Sequence, residues 1–181
     1  MRRPTPSSTA PTCEPRRCGG DAGVWYAASE EQAAWAELFR HFADAGIDPF
    51  ELRRRVGRAQ VDVVVLDLTD ARVRSHLAVN EFDLVGDDYS VTQAIAGAAR
   101  NAGFDGVLAP AAALPGRKTL AVFAHALSSV EAEHSVVRQP PRRMADLLPL
   151  IRPHERFPDA IRRLYHTVSR AGADAIRNRR S

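Results

Sequence analysis

Two hydrophobic periods alternate along this chain, and the switches between them mark its elements. "VWYA", residues 24–27, is aromatic and β-branched and predicts a short strand. Helical spacing follows, with Trp35, Leu38, Phe39 and Phe42 forming one apolar stripe. Ser29 and Gln32 read as a capping box, so this helix is expected from 29 to about Ala45, ending at Gly46. Glu37 lies opposite the stripe, where Ala33, Ala34 and Ala36 are its neighbours. Small side chains on that far face imply that a second element approaches the helix closely. "VDVVVLDL", 61–68, is a near-continuous apolar run and predicts a strand buried on both faces.

"TDARVRSHLAV" then reads as a short helix capped by Thr69 or Asp70. "GDDYSVTQAIAGAARNAG", 86–103, stacks turn and cap residues before a helix over 91–102 that stops at Gly103. "DGVLAP" and "TLAVFA" predict two more strands joined by a Pro-Gly turn at 115 and 116. Beyond Pro140 helical spacing returns in "MADLLPLI" and "FPDAIRRLYHTVSRAGADAIRN". No repeat is visible, and strands and helices mix without regular βαβ spacing. The fold class is therefore read as α+β.

Composition narrows the class. A chain of 181 residues, 45% apolar and 26% charged, fits one soluble globular domain with a real core. No apolar run nears the roughly 20 residues of a membrane span. The opening "MRRPTPSSTAPTCEPRRCGG" lacks the apolar stretch of a secretory signal, so the cytoplasm is the expected compartment. Residues 1–18 are polar, basic and aperiodic and are read as disordered. Cys13 and Cys18 are the only cysteines, too few for a disulfide scaffold, and no second ligand pair follows at zinc spacing. From Arg138 onward there are 11 arginines and 4 acidic residues, against 14 basic and 18 acidic residues before it. The basic character thus belongs to a helical extension, 139–181, appended to a core domain, 19–138. Only Phe157 and Tyr165 stand among its arginines, too few for a stacking platform, which argues against nucleic acid as a partner.

Several chemistries are excluded by motif. There is no P-loop and no G-x-G-x-x-G, and "CGGDAG" has the wrong spacing for a dinucleotide fingerprint. The six histidines show no metal-ligand spacing. Asp87 and Asp88 could hold a divalent cation, but adjacent acids before a helix more often serve its cap and dipole. Ser90 stands where the helix begins, either as its N-cap or beside an anion site made by the free N–H groups.

Tyr26, Glu37 and Ser90 gain meaning from their order. "WYAAS", "WAEL" with Glu37 eleven residues after Tyr26, "VVLDLT", "GDDYSVTQA" and "GVLAP" follow one another in a pattern that resembles the RES-domain toxins. The resemblance spans about residues 16–125. It implies an ADP-ribosyltransferase-like fold and an enzyme that degrades NAD+ at the nicotinamide–ribose bond, by hydrolysis or phosphorolysis. NAD+ would be the substrate, with no cofactor and no metal. The family's tyrosine, glutamate and serine fall on Tyr26, Glu37 and Ser90 as catalytic residues. Tyr26 and Ser90 would also bind substrate. A family arginine falls on Arg16 or Arg17, where the usual G-G-R-W-N wording is absent. A second family arginine lies further upstream, and "MRRPTPSS" offers no counterpart, so the start reads as shortened. An Xre-like antitoxin is the implied partner, with phosphate as a possible second substrate. The competing reading is a catalytically inactive RES-like domain that binds a nucleotide or a protein.

Overall fold

The computed structural model describes residues 23–41, 53–133, 135–139, 147 and 150–152. The elements follow the order β1 (Val24–Ala28), α1 (Glu31–His41), β2 (Arg54–Val56), β3 (Ala59–Val61), β4 (Val65–Asp67). Then come α2 (Ala71–His76), α3 (Glu81–Val85), α4 (Ser90–Asn101), β5 (Gly106–Pro110) and β6 (Lys118–Phe123). A 3-10 helix, Ala124–Ser129, leads to β7 (Val130–Ala132) and β8 (Val136–Arg138). The architecture is α+β, as expected.

Four strands form the central sheet in the order β1-β6-β5-β4. Only β4 and β5 run parallel, because the three helices α2, α3 and α4 intervene between them. β5 and β6 are antiparallel and meet through the anticipated Pro-Gly turn. The Arg117 N–H donates to the Leu114 carbonyl, and Gly116 at φ 78 occupies the left-handed position of a type II turn. β2 pairs with β8 and β3 with β7, both antiparallel. Between these two short ladders the Glu133 N–H donates to the Arg58 carbonyl at 2.7 Å.

Side chains alternate across a strand, so Val24, Tyr26 and Ala28 share one face with Phe123, Ala121 and Val107. Two core clusters cover that face. Ala28 packs against the cluster of α1, which includes Trp35, Leu38, Phe39, Ala113, Leu114 and Ile151. Val24 packs against the second, which joins Leu68, Val107 and Phe123 to Leu84, Val85 and Ala99 of α3 and α4. Tyr26 therefore stands at the seam between the two.

Several sequence readings are corrected in detail. Ser29 does not cap α1: its N–H donates to the Lys118 carbonyl and its hydroxyl accepts from the Lys118 N–H, so it continues the sheet edge. The first helical bond instead runs from the Ala34 N–H to the Glu30 carbonyl. The run 61–68 is not one strand. It breaks between β3 and β4, and Val64 is 66% exposed, because the two halves pair with different partners. Asp70 caps α2 by accepting from the Arg72 N–H, as one of the two alternatives had it. α3 has a complete capping box of Asn80 and Asp83 that the hydrophobic pattern did not reveal. α4 ends as expected: Gly103 at φ 86 closes a Schellman motif, with the Phe104 N–H donating to the Ala99 carbonyl. The segment 1–22, Phe42 and most of the chain beyond 139 lie outside the described residues.

Two glycines make opposite expectations testable. At Gly106 a Cβ would stand 2.3 Å from the Ala121 carbonyl oxygen, so Gly106→Ala requires β5 and β6 to separate. It should destabilise by about 1–3 kcal/mol in urea unfolding. Gly97 in α4 has open space around its Cβ position, so Gly97→Ala should stabilise by about 0.5–1 kcal/mol.

Candidate active site at the seam of two cores

α1 carries a second buried stripe besides its apolar one. Ala33, Ala36, Glu37 and Arg40 recur at helical spacing on one face, and both alanines are fully buried. Lacking bulk, they let the loop between β5 and β6 come close, with Ala113 fully buried against them. This is the close approach that the alanine-lined face implied.

Glu37 uses that proximity. Its Oε1 accepts from the Ala113 N–H at 2.8 Å. Burial pushes the Glu37 carboxyl above the ordinary glutamate range. Opposing that push are the Ala113 N–H, the Arg40 guanidinium, the Ala112 N–H and the charge of Arg152. Arg152 comes from the segment beyond Pro140, expected to pack away from the site. Its backbone N–H donates to the Ala113 carbonyl at 2.8 Å, while Ile151 is buried in the α1 cluster. The backbone of Ala113 is thus held on its N–H by Glu37 and on its carbonyl by Arg152.

Arg40, one turn further along α1, was not singled out from the sequence. Among the described residues it is the one buried charged side chain, 2% exposed. Its Nη2 donates to the Val85 carbonyl at 3.0 Å, the Gly86 carbonyl at 3.3 Å and the Asp87 carboxylate at 2.5 Å. The available signal was its spacing, three residues after Glu37 and four after Ala36. An arginine in that stripe cannot reach solvent as a surface arginine would.

Tyr26 is half-buried on β1. Burial, then the neighbouring Tyr89 phenol, push its hydroxyl above the ordinary tyrosine range, so it stays a neutral donor and acceptor at physiological pH. Tyr89 directly precedes Ser90, so the start of α4 lies near the Tyr26 side of the seam. Ser90 is the first residue of α4 and is not its N-cap, which is Tyr89 without a side-chain cap bond. The Ser90 N–H and hydroxyl both donate to Asp88, at 2.9 and 3.0 Å, and hold that carboxyl below its usual range. Asp87 and Asp88 are thus engaged by Arg40 and Ser90. Asp67 of "VVLDLT" accepts from the Thr69 N–H and hydroxyl at 2.8 and 2.6 Å, closing a turn. Arg16 and Arg17 lie outside the described residues.

Arg40 thus joins α1 to residues 85–87 and Tyr89 neighbours Tyr26, while Ser90 itself is exposed. A cleft of about 260 Å³ lies elsewhere, at the N-terminal end of α1, lined by Glu30, Gln32, Leu114, Pro115, Arg117, Leu147 and Leu150. Tyr26, Glu37 and Ser90 do not line it.

Comparison with known proteins places the chain in a family. The RES domain model matches residues 4–145, a stretch that takes in Arg16, Arg17, Tyr26, Glu37 and Ser90. The chain belongs to the RES-domain family. It is 65% identical to a probable NAD(+) phosphorylase of Mycobacterium tuberculosis, over 99% of this chain and 87% of that protein. It also superposes on a chain of the M. tuberculosis MbcT–MbcA toxin–antitoxin complex with a TM-score of 0.60 at 31% identity. That superposition covers 70% of this chain and 75% of the other. Among the described residues no helix is long and apolar enough to cross a membrane.

A glutamate held above its ordinary range has a definite linkage to stability. Both folded and unfolded chains carry it protonated at low pH, where it contributes no pH-dependent term. As pH rises past the unfolded value toward the raised folded value, the unfolded chain ionises first, and stability is lost across that window. Glu37→Gln keeps an oxygen for the Ala113 N–H and removes the ionisable group. It should melt higher than wild type at neutral pH, and the difference should vanish below the ordinary glutamate range, as thermal melts across a pH series would show.

Proposed function

We propose that this RES-domain protein consumes NAD+ by breaking the nicotinamide–ribose bond, with inorganic phosphate as the acceptor. We further propose that it acts in the cytoplasm as the toxin of a pair whose Xre-like antitoxin restrains it. The observation that carries this reading is the 65% identity, over nearly the whole chain, to a probable NAD(+) phosphorylase. The likeness to a toxin–antitoxin complex supports the partner.

The chemistry asks for a negative charge beside a sugar. As the bond from ribose C1 to the nicotinamide nitrogen breaks, its electron pair leaves with the nicotinamide, whose ring becomes neutral. The ribose passes through an oxocarbenium-like state, and a phosphate oxygen bonds to C1 on the opposite face. With water in place of phosphate the same cleavage is hydrolysis. In this reading the Glu37 carboxylate stabilises the developing cation. The Tyr26 ring forms a wall for nicotinamide and its neutral hydroxyl orients the group. Ser90 offers a hydroxyl at the start of α4. Arg16 or Arg17 pairs the pyrophosphate, which suits a planar guanidinium.

Purified protein incubated with NAD+, with and without phosphate, tests the reaction directly. Phosphate-dependent release of nicotinamide with a phosphorylated ADP-ribose product supports phosphorolysis, and free ADP-ribose in both arms indicates hydrolysis. Glu37→Gln should lower turnover on the order of 100- to 1000-fold while NAD+ binding weakens far less, because the charge acts mainly in the transition state. Tyr26→Ala should damage binding and turnover together. Expression without antitoxin should deplete cellular NAD+ and arrest growth, and Glu37→Gln should relieve the arrest. Unchanged NAD+ and growth with folded wild-type protein would favour an inactive binding domain.

A further inference from the structure

Arg40 presents a problem that packing alone does not solve. A buried guanidinium pays a large desolvation cost, and an apolar residue of similar volume is often as stabilising or more so. What the charge does here is local. α3 ends at Val85, and the last carbonyls of a helix have no partner within it. Arg40 collects two carbonyls there, Val85 and Gly86, and adds the Asp87 carboxylate. Those are the last fixed points before Asp88, which holds Ser90, and before Tyr89, which neighbours Tyr26. On its own helix Arg40 follows Glu37 by three residues, on the same face.

We infer that Arg40 is a positioning residue, which clamps the 85–90 loop to α1 so that Tyr89 and Ser90 stand in register with Glu37 and Tyr26. The inference rests on the NAD+-cleaving reading for its kinetic consequence and on geometry alone for the clamp. All three bonds leave one nitrogen, Nη2, which lies one bond further from the backbone than a lysine Nζ, so a lysine keeps the charge but falls short of the carbonyls and the carboxylate. Movement of the loop by about 1 Å would then lower turnover by up to about 100-fold.

The test compares wild type with Arg40→Lys, Arg40→Met and Asp87→Asn. Each is measured for melting temperature, amide exchange across 85–93, and kcat and KM for NAD+ over a pH series. In folded Arg40→Lys we expect faster exchange confined to 85–93 and a kcat about 10- to 100-fold lower with KM nearly unchanged. Glu37 is faced by Arg40 on its own helix, by Arg152 from the C-terminal segment and by the 112 and 113 N–H groups. Arg40→Met should therefore also move the acid limb of kcat to higher pH, a shift that Arg40→Lys should not share. A folded Arg40→Lys with wild-type exchange and wild-type kcat overturns the inference. Should the Arg40 variants not fold, Asp87→Asn decides: a lowered kcat with local loosening supports the clamp, and neither change overturns it. If wild type leaves NAD+ intact, the functional reading fails, and exchange across 85–93 alone decides the clamp.

Discussion

One buried guanidinium ties the two halves of this domain together. The cluster around α1 and the cluster around α3 and α4 rest side by side on one face of the central sheet. Apolar contact alone would let them slide, because the hydrophobic effect has no direction. Arg40 supplies direction: its bonds from α1 to Val85, Gly86 and Asp87 set where the second cluster meets the first. The loop that leads to Tyr89 and Ser90 takes its position relative to α1 from that contact.

Glu37 shows the opposite balance. Burial raises its carboxyl, so ionising it costs the folded domain stability. The anchoring of its Oε1 on the Ala113 N–H explains how the charge is held in one place without a full ion pair. A fixed, partly desolvated carboxylate is what stabilisation of a sugar cation needs, since the dipoles around it require no reorganisation during reaction. Stability and the proposed activity therefore pull against each other at this one side chain.

The loop between β5 and β6 does more than join two strands. Pro115 and Gly116 set a tight turn, and that turn places Ala113 where both α1 and the C-terminal segment reach it. The segment around Ile151 completes the α1 cluster, and Arg152 adds a second positive charge within reach of Glu37. A chain stretch that reads as an appendage thus contributes to the electrostatics of the seam.

How much of this was legible follows from the range of each interaction. The Pro-Gly turn, the Asp70 cap and the Gly103 helix end were readable because their partners lie within a few residues. The alanine face around Glu37 also announced a close approach, since small side chains have few other reasons to surround a glutamate. The order of five short motifs placed the chain in its family, and with it Tyr26, Glu37 and Ser90 as candidates. Local pattern misled where partners were distant. Ser29 has the composition of a cap but binds Lys118, 89 residues away. "VDVVVLDL" looks like one strand but pairs with β7 at one end and β5 at the other. Arg40's place in the alanine stripe hinted at burial, but its partners lie 45 to 47 residues on, beyond the reach of any short-range rule. The sequence by itself determined the α+β class, the Asp70 cap, the Gly103 helix end and the chemistry on offer, because those depend on neighbours along the chain. Which charge would be buried, and which loop it would hold, was decided only when the two clusters came together on the sheet.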